Sequence, residues 1–264
     1  MRVVPLVVSA LCTGACDAVF DLEHIGPPPD APTCTPVGHD EDRDGLDDGC
    51  DPCPFDANNE GDLDGDGIAN ACDPDPVTAN EVLLFSGFDP LTRAQFELTD
   101  GGWDGDSYRV TGTGTNALLW SGNPDGVWAV AGVDVEALAP TSYREVGFIY
   151  DAIPTALNNQ PNGTLCVLGR DSNDYLEVFA RNRPANDVAI NRSSSPLSIA
   201  AMHGIMRGSY ARNAVPSSTC TFISQQLEPT ISGTLTPLPA SGKLALFAQD
   251  IDATFRFLFV VSRP

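Results

Sequence analysis

The chain has 264 residues, 36 of them acidic and 14 basic, and its formal net charge of −22 excludes a nucleic-acid-binding protein, because a polyanion would be repelled. Hydrophobic residues make up 42% of the chain and charged residues only 19%, so most of it can bury a core and it is neither disordered nor a coiled coil. The 24 glycines and 22 prolines disfavour long helices and favour β structure, and the eight cysteines indicate an oxidising compartment.

Residues 1–15 have the features of an export signal, with Arg2 ahead of an apolar stretch that is too short to span a bilayer. Small residues then lead to Cys16 in the run LCTGAC, which resembles the lipobox of bacterial lipoproteins, although Thr13 stands where that pattern prefers leucine. The resemblance implies cleavage before Cys16 and lipidation of this cysteine; simple secretion and an uncleaved anchor are the alternatives. We expect an exported protein, either secreted or an envelope lipoprotein at the outer membrane or cell surface, that contacts membrane only through its lipid.

Residues 16–33 form a proline-rich tether, and the acidic residues concentrate around and after it. From Cys16 to Asn80 there are 18 acidic residues and one basic residue, Arg43, whereas residues 81–264 carry 18 acidic and 12 basic residues. The first of these segments has almost no apolar side chains, so a hydrophobic core cannot stabilise it. Something other than apolar burial must hold residues 34–76 together.

Residues 34–76 contain an internal repeat of twelve residues at an offset of 22. The stretches DEDRDGLDDGCD and DLDGDGIANACD align without gaps and share the pattern D-x-D-x-D-G-x-x-[DN]-x-C-D. The side chains that could bind a metal are Asp40, Asp42, Asp44, Asp48 and Asp51 in the first copy and Asp62, Asp64, Asp66, Asn70 and Asp73 in the second.

This spacing predicts a calcium site in each copy. Carboxylates at loop positions 1, 3 and 5 converge if the backbone curls tightly, and glycine at position 6 permits the curl. Position 7, Leu46 or Ile68, offers its backbone carbonyl. All of these ligands are oxygens, which favours Ca²⁺ over Mg²⁺ or Zn²⁺. We therefore expect at least two calcium ions, and we expect the ions to fold the segment because the carboxylates would otherwise repel one another.

Two other interpretations of the acidic segment account for fewer of its features. A disordered acidic linker does not account for a duplicated twelve-residue spacing. A helical EF-hand or dockerin-type pair needs amphipathic helices beside the loops and glutamate at position 12, where this chain has aspartate. The prolines that follow each loop forbid such helices.

From Cys34 to Asp75 the chain resembles the thrombospondin type 3 repeat, on the strength of its Asp-rich loops, a Cys-Pro, a downstream Asn and a closing Cys-Asp. The resemblance implies calcium ions wrapped by chain with little regular secondary structure and turns linked by disulfides. It adds Asn58, five residues after Cys53, to the ligand set. The stretch from Asn58 to Asp62 is one residue shorter than the family pattern, which makes Asn58 the least secure ligand.

The cysteine positions fit the disulfides that the resemblance implies. Cys50 and Cys72 occupy the same loop position, and the expected pairs are Cys34–Cys50 and Cys53–Cys72. Four cysteines allow three pairings, so this connectivity is a hypothesis. A redox or zinc site at the CxxC of Cys50 and Cys53 is the alternative, but no second Cys or His pair completes a zinc tetrad.

Residues 81–264 read as about a dozen short β runs separated by turn signals, which predicts an antiparallel sandwich of two sheets. Alternation is clearest from Val127 to Val135. Residues 199–207 are equally compatible with a helical turn and a strand. The order of runs, from FSGFDPL to SGKLALFAQDIDATFRFLFV, resembles the concanavalin A-like or laminin-G-like jelly-roll superfamily, which implies the fold much more than a function.

The sandwich contains neither an E-x-D-x-x-E carboxylate pattern nor a G-x-S-x-G motif, so we expect no catalytic residues. Cys166 and Cys220 are expected to pair across neighbouring strands, and Trp103, Trp120 and Trp128 either fill the core or form a platform for a sugar ring. We expect a non-catalytic, lectin-like module that binds a glycan or a surface or matrix protein. A carbohydrate-active enzyme on the same fold, a glycoside hydrolase or lyase, and a purely structural envelope module are the alternatives.

Overall fold

Fifteen β-strands and two three-residue 3₁₀ turns make up the regular structure of the residues that the computed structural model describes: 34–57, 61–122, 126–141, 143–154, 161–182, 187–212, 216–234 and 242–263. The first seven strands are β1 Val82–Ser86, β2 Phe96–Leu98, β3 Gly102–Trp103, β4 Tyr108–Val110, β5 Thr115–Trp120, β6 Gly126–Leu138 and β7 Arg144–Ile153. The others are β8 Asn162–Arg170, β9 Asp174–Arg181, β10 Val188–Ser194, β11 His203–Ala211, β12 Ser217–Ile223, β13 Thr230–Thr234, β14 Lys243–Gln249 and β15 Ile251–Ser262.

These strands form two antiparallel sheets that face each other, which confirms the predicted β-sandwich. The eight-stranded sheet has the order β13-β12-β11-β6-β15-β4-β3, with β1 also paired to β15. The seven-stranded sheet has the order β10-β9-β8-β7-β14-β5-β2. The chain crosses repeatedly from one sheet to the other, so about half of the paired strands are not consecutive in sequence. Residues 199–207 contain both predicted features, because the 3₁₀ turn Ile199–Ala201 leads into β11.

The main core lies between the two sheets and is built by the alternation of side chains along each strand. The alternating residues of β6 all point into this core: Val127, Ala129, Ala131, Val133 and Val135. Trp120 is also buried there, and Trp103 packs against it while partly exposed. A disulfide joins Cys166 of β8 to Cys220 of β12, which confirms the expected pair. The two strands are not neighbours in one sheet as expected, because β8 and β12 belong to different sheets and the bond crosses the core between them.

The acidic repeat packs against the outer face of the eight-stranded sheet. The ring of Phe55 lies 5.4 Å from the rings of both Phe257 and Phe259 on β15, and it stacks on the first at an interplanar angle of 10°. Ile68 and the disulfide Cys53–Cys72 are buried in the same cluster. Glu41 adds an ion pair with Arg256, at 2.7 Å. All described residues from Pro36 onward accordingly belong to one unit.

This packing follows from the composition of the repeat. The cause is that Phe55 and Ile68 are apolar residues in a segment with no core of its own, so they bury their surface on the sheet beneath. The division into domains at 34–76 and 81–264 stays a prediction. The signal and tether predicted at 1–15 and 16–33, including Cys16, lie outside the described residues.

Among the described residues, no α-helix follows either acidic loop, as the prolines led us to expect, and no helix is long and apolar enough to cross a membrane. Cys34 and Cys50 are both disulfide-bonded. Their pairing with one another stays a prediction.

Candidate metal centre

The first acidic loop is shaped by hydrogen bonds from its own backbone to the carboxylate of Asp40. That carboxylate accepts the N–H of Arg43 at 2.7 Å and the N–H of Gly45 at 3.1 Å. Both donors adopt left-handed backbone conformations, with φ of 65° at Arg43 and 98° at Gly45. Glycine adopts that conformation without steric cost, which is why position 6 of the loop needs it.

The second loop repeats this geometry 22 residues later. The carboxylate of Asp62 accepts the N–H groups of Gly65 at 2.7 Å and Gly67 at 2.9 Å, and both glycines have positive φ. The sequence repeat is therefore a structural repeat, in which the first carboxylate of each loop ties the turn together.

The carboxylates at positions 1, 3 and 5 converge in both loops, as the spacing predicted. Each residue of the triad places a carboxylate oxygen within 4.8 Å of those of the other two. The triads are Asp40, Asp42 and Asp44 in the first loop and Asp62, Asp64 and Asp66 in the second. So many negative charges at this separation repel one another unless a cation lies between them.

Positions 3 and 12 of each loop use only one carboxylate oxygen in hydrogen bonding. The Oδ1 atoms of Asp42 and Asp64 accept the N–H two residues on, at 3.0 and 3.2 Å. The Oδ1 atoms of Asp51 and Asp73 do the same, each at 2.8 Å. The second oxygen, Oδ2, is buried without a hydrogen-bond donor in all four residues.

These oxygens provide the test of whether a metal fits. A buried anionic oxygen without a donor is strongly unfavourable, and it recurs here at the same two positions of two separate loops. A hard cation that takes six to eight oxygen ligands removes that penalty. The converging groups are all carboxylates, every cysteine in the described part of the chain is disulfide-bonded, and no imidazole belongs to either triad, so the donor set suits Ca²⁺ and not Zn²⁺.

The electrostatics of the loops agree with this fit. Burial raises the pKa of Asp42, Asp51 and Asp73 above the ordinary carboxyl value, and repulsion from the neighbouring aspartates raises the pKa of each further. The pKa of Asp62 is lowered instead, chiefly by the hydrogen bond from the N–H of Gly67. Asp62 is thus stabilised as an anion by the backbone, whereas the other three would be stabilised by a cation.

The remaining predicted ligands have different surroundings. At position 9, the Oδ1 atoms of Asp48 and Asn70 accept backbone N–H groups of Glu41, at 2.9 Å, and Leu63, at 3.1 Å, so these residues brace the loops from outside the triads. At position 7 the side chain of Ile68 is buried and that of Leu46 is 43% exposed, while the role of their carbonyls stays a prediction. Asn58 lies outside the described residues.

Asn80 belongs to the second loop and was missed in the sequence. Its N–H donates to Asp66 Oδ2 at 2.7 Å and its Nδ2 donates to Asp73 Oδ1 at 3.1 Å, while its Oδ1 is buried without a donor. Asn80 stands 22 residues after Asn58, so extending the repeat alignment beyond Asp73 would have found it.

Two clefts of the sandwich could hold a larger ligand. The seam cleft, about 230 Å³, lies between the second acidic loop at Ala71–Pro74 and the eight-stranded sheet, where Trp128, Arg207 and Thr221 line it. The second cleft, about 320 Å³, lies on the outer face of the seven-stranded sheet. Its lining is mostly charged and aromatic and includes Tyr143, Glu145, Tyr175, Glu177, Arg181 and Arg192.

The second cleft contains a buried carboxyl. Glu145 is 6% exposed and accepts a hydrogen bond from the hydroxyl of Tyr175 at 2.8 Å. Burial raises the pKa of Glu145 and also that of Glu177, which pairs with Arg192 at 3.3 Å. The guanidinium of Arg192 lies 3.7 Å from the ring centre of Tyr175. The cleft therefore holds two carboxyls of altered acidity beside two arginines.

No family model and no curated protein matches the sequence. Similar solved structures include the exoplasmic/lumenal domain of VIP36 in a Ca²⁺/Man3GlcNAc-bound form, at 11% identity and a TM-score of 0.49, over 65% of this chain and 85% of that one. The carbohydrate-binding module CBM66 from Bacillus subtilis has 12% identity and a TM-score of 0.44, over 61% of this chain and 92% of that one.

Lectin I-B4 from Griffonia simplicifolia, in a metal-free form, is similar at 9% identity and a TM-score of 0.47, over 68% of this chain and 99% of that one. At these identities and TM-scores no ligand or activity carries over to this chain.

Proposed function

We propose that this protein is an exported, calcium-binding module whose two acidic loops each bind calcium and whose sandwich binds a glycan or a surface protein without catalysis. One observation carries the calcium proposal: the Oδ2 atoms at loop positions 3 and 12 are buried without a donor in both copies of the repeat. Calcium bound there would complete the coordination of these oxygens and offset the repulsion among the loop carboxylates.

The residues divide the task between shaping the site and binding the ion. Asp40 and Asp62 hold the turn through backbone hydrogen bonds. The carboxylates at positions 3, 5 and 12 supply the remaining negative charge, with Asn80 as a further ligand in the second loop. Bound calcium would supply positive charge and a fixed coordination geometry, which together hold each loop in one conformation.

Calorimetric titration of the chelator-stripped full chain tests this proposal. We expect at least two calcium ions to bind, and we expect Asp42→Asn or Asp64→Asn to weaken the affected site at least tenfold, because each substitution removes a ligand charge. Asp104→Asn is the matched control, since Asp104 is an exposed aspartate of the sandwich that pairs with Arg109. Absence of calcium binding at millimolar concentration would refute the proposal.

The proposed location is the cell envelope or the medium, with Cys16 as the lipidated residue. Disulfides at Cys53–Cys72 and Cys166–Cys220 are consistent with an extracellular protein. Mass spectrometry of the mature amino terminus, beside a Cys16→Ser variant, tests lipidation. A terminus other than a diacylated Cys16 would contradict it.

A second candidate function is a carbohydrate-active enzyme that uses the second cleft. The observation that favours it is that the second cleft contains two carboxyls, Glu145 and Glu177, whose pKa values are both raised by burial. A raised pKa is the direction that a carboxyl needs if it is to hold a proton and act as a general acid. Depolymerisation assays on neutral and acidic polysaccharides test it, with Glu145→Gln expected to abolish any activity. Glycan binding without depolymerisation would favour the first proposal, and neither activity would favour a structural envelope module.

A further inference from the structure

We propose that the seam cleft binds a single sugar residue that carries one carboxylate, and that calcium in the second loop is required for this binding. The inference rests on the proposed calcium function and names a ligand class and a site for it. Its basis is that the cleft has one wall from the sheet and one from the second acidic loop, which includes the proposed ligand Asp73.

The lining of the seam cleft suits one sugar ring. The rings of Phe55 and Phe259 and the side chain of Val261 provide an apolar surface, and the half-buried indole of Trp128 lines the same cleft. Three hydroxyl-bearing residues, Ser209, Thr219 and Thr221, line the cleft on the sheet side. Aromatic surface beside hydroxyl groups matches the two kinds of surface that a sugar presents, its C–H faces and its hydroxyls. A volume of about 230 Å³ limits the occupant to a small group.

Arg207 gives the cleft its charge preference. Its side chain is exposed on β11 and forms no ion pair or hydrogen bond with any described residue, whereas Arg109, Arg192 and Arg256 are paired with carboxylates. A guanidinium binds a carboxylate through two parallel hydrogen bonds. A chain of net charge −22 repels a polyanion at long range, so a ligand with one carboxylate fits better than a polyuronate.

Asp73 connects the seam cleft to the proposed calcium site. This residue is 9% exposed, lines the seam cleft, and has an Oδ2 that is buried without a donor. Without a cation, its charge and those of Asp64 and Asp66 in the same loop repel an incoming carboxylate. With calcium bound, that repulsion is offset and the attraction of Arg207 dominates. The cleft should thus bind an acidic sugar only when the loop is loaded.

The test measures binding of methyl β-glucuronide, methyl β-glucoside and acetate to the full chain by ligand-observed NMR titration, in calcium and in chelator. In calcium we expect the glucuronide to bind at least tenfold more tightly than either of the others, because only it offers both the ring and the carboxylate. In chelator we expect this preference to disappear.

Arg207→Gln should remove the preference for the glucuronide while leaving calcium binding, measured by calorimetry on the same sample, unchanged. Arg109→Gln is the matched control, because Arg109 lies in the same sheet but does not line the cleft. Both variants keep their calcium affinity if they are folded, which provides the check on folding.

The outcomes separate the two proposals. If calcium binds and the glucuronide shows no preference, or if Arg207→Gln leaves the preference intact, the seam-cleft inference is wrong and the calcium function stands. Acetate binding as tight as the glucuronide would also overturn the inference, since the sugar ring would then contribute nothing. If calcium does not bind at all, the proposed function fails and the inference falls with it.

Discussion

The acidic repeat and the sandwich lie in one unit but are stabilised by different physics. In the sandwich, backbone groups pair with other strands and apolar side chains fill the space between two sheets. In the repeat, backbone N–H groups donate to aspartate carboxylates a few residues away. Its few apolar side chains are buried only by packing against the eight-stranded sheet. The stability of the repeat should therefore depend on the calcium in solution, whereas that of the sandwich should not.

Removal of calcium is the change that should separate the two regions most. A ligand present at a thousandfold above its Kd contributes about 4 kcal/mol to the free energy of unfolding, so we expect a loss of about this size per ion on chelation. Protease sensitivity mapped by mass spectrometry should rise in residues 34–80 and stay low in the strands. Equal protease resistance of the repeat with and without calcium would contradict this prediction.

Phe55→Ala tests whether the repeat depends on the sheet. Removing a buried phenylalanine from a packed cluster costs about 3–5 kcal/mol, and here the ring fills the contact with Phe257 and Phe259. Urea denaturation in calcium measures the effect. Leu63→Ala is the control, because Leu63 is 73% exposed in the same repeat and should change stability by less than about 0.5 kcal/mol. Similar effects from both would mean that the repeat folds without docking.

The disulfides Cys53–Cys72 and Cys166–Cys220 offer a matched pair of variants, one in each region. Replacing Cys53 and Cys72 by serine should cost about 2–4 kcal/mol and weaken calcium binding, because the second loop closes on Cys72. Replacing Cys166 and Cys220 should also destabilise the chain but leave calcium affinity unchanged, since that bond lies in the core between the two sheets and touches no loop carboxylate. Calorimetric calcium titration distinguishes the two, and an equal effect on affinity would contradict the division between regions.

The smallest predicted effect is a pH dependence of the repeat that changes sign with calcium. A carboxyl whose pKa is higher in the folded than in the unfolded chain favours folding at low pH, and its contribution is lost as the pH rises through the folded pKa. Burial raises the pKa of Asp42, Asp51 and Asp73, so in chelator the repeat should become more stable as the pH falls from about 7 towards about 4.

Two groups with the opposite sign titrate outside this window. The pKa values of Asp47 and Asp62 lie below the usual 3.8, chiefly because of backbone hydrogen bonds from Val37 and Gly67, so they lose stabilising charge only at lower pH. In calcium the slope should reverse, because calcium needs the deprotonated carboxylates. Hydrogen exchange of residues 34–80 at several pH values measures both slopes. A slope of the same sign with and without calcium would contradict the prediction.

The strands of the sandwich were largely readable from the sequence, but their neighbours were not. The alternation in β6 showed which side chains face the core. It could not show that β6 lies between β11 and β15, because those partners are separated from it by long stretches of chain. The unbroken apolar run from Phe257 to Val261 was a missed signal, since a strand whose side chains are apolar on both faces is covered on both faces.

The candidate metal site was also predictable from the sequence only in part. The converging triads followed from spacing alone, because the hydrogen bonds that shape each loop join residues two to five positions apart. The spacing did not reveal that Asp48 and Asn70 brace the loops, and Asn80 was lost because the alignment ended too early. Which carboxylate oxygens are buried without donors depends on what packs around them, and only the folded chain shows it.

The sequence by itself determined the loops, the residue types that suit calcium, and the β class of the larger region, because all three depend on interactions between residues close along the chain. The tertiary structure decided that the repeat lies on the eight-stranded sheet, through contacts such as Phe55 with Phe257 and Glu41 with Arg256. It also decided that Asp73 and Arg207 face the same cleft. These pairs are distant in sequence, and they meet only because an acidic segment without its own core must bury its few apolar side chains on a neighbouring surface.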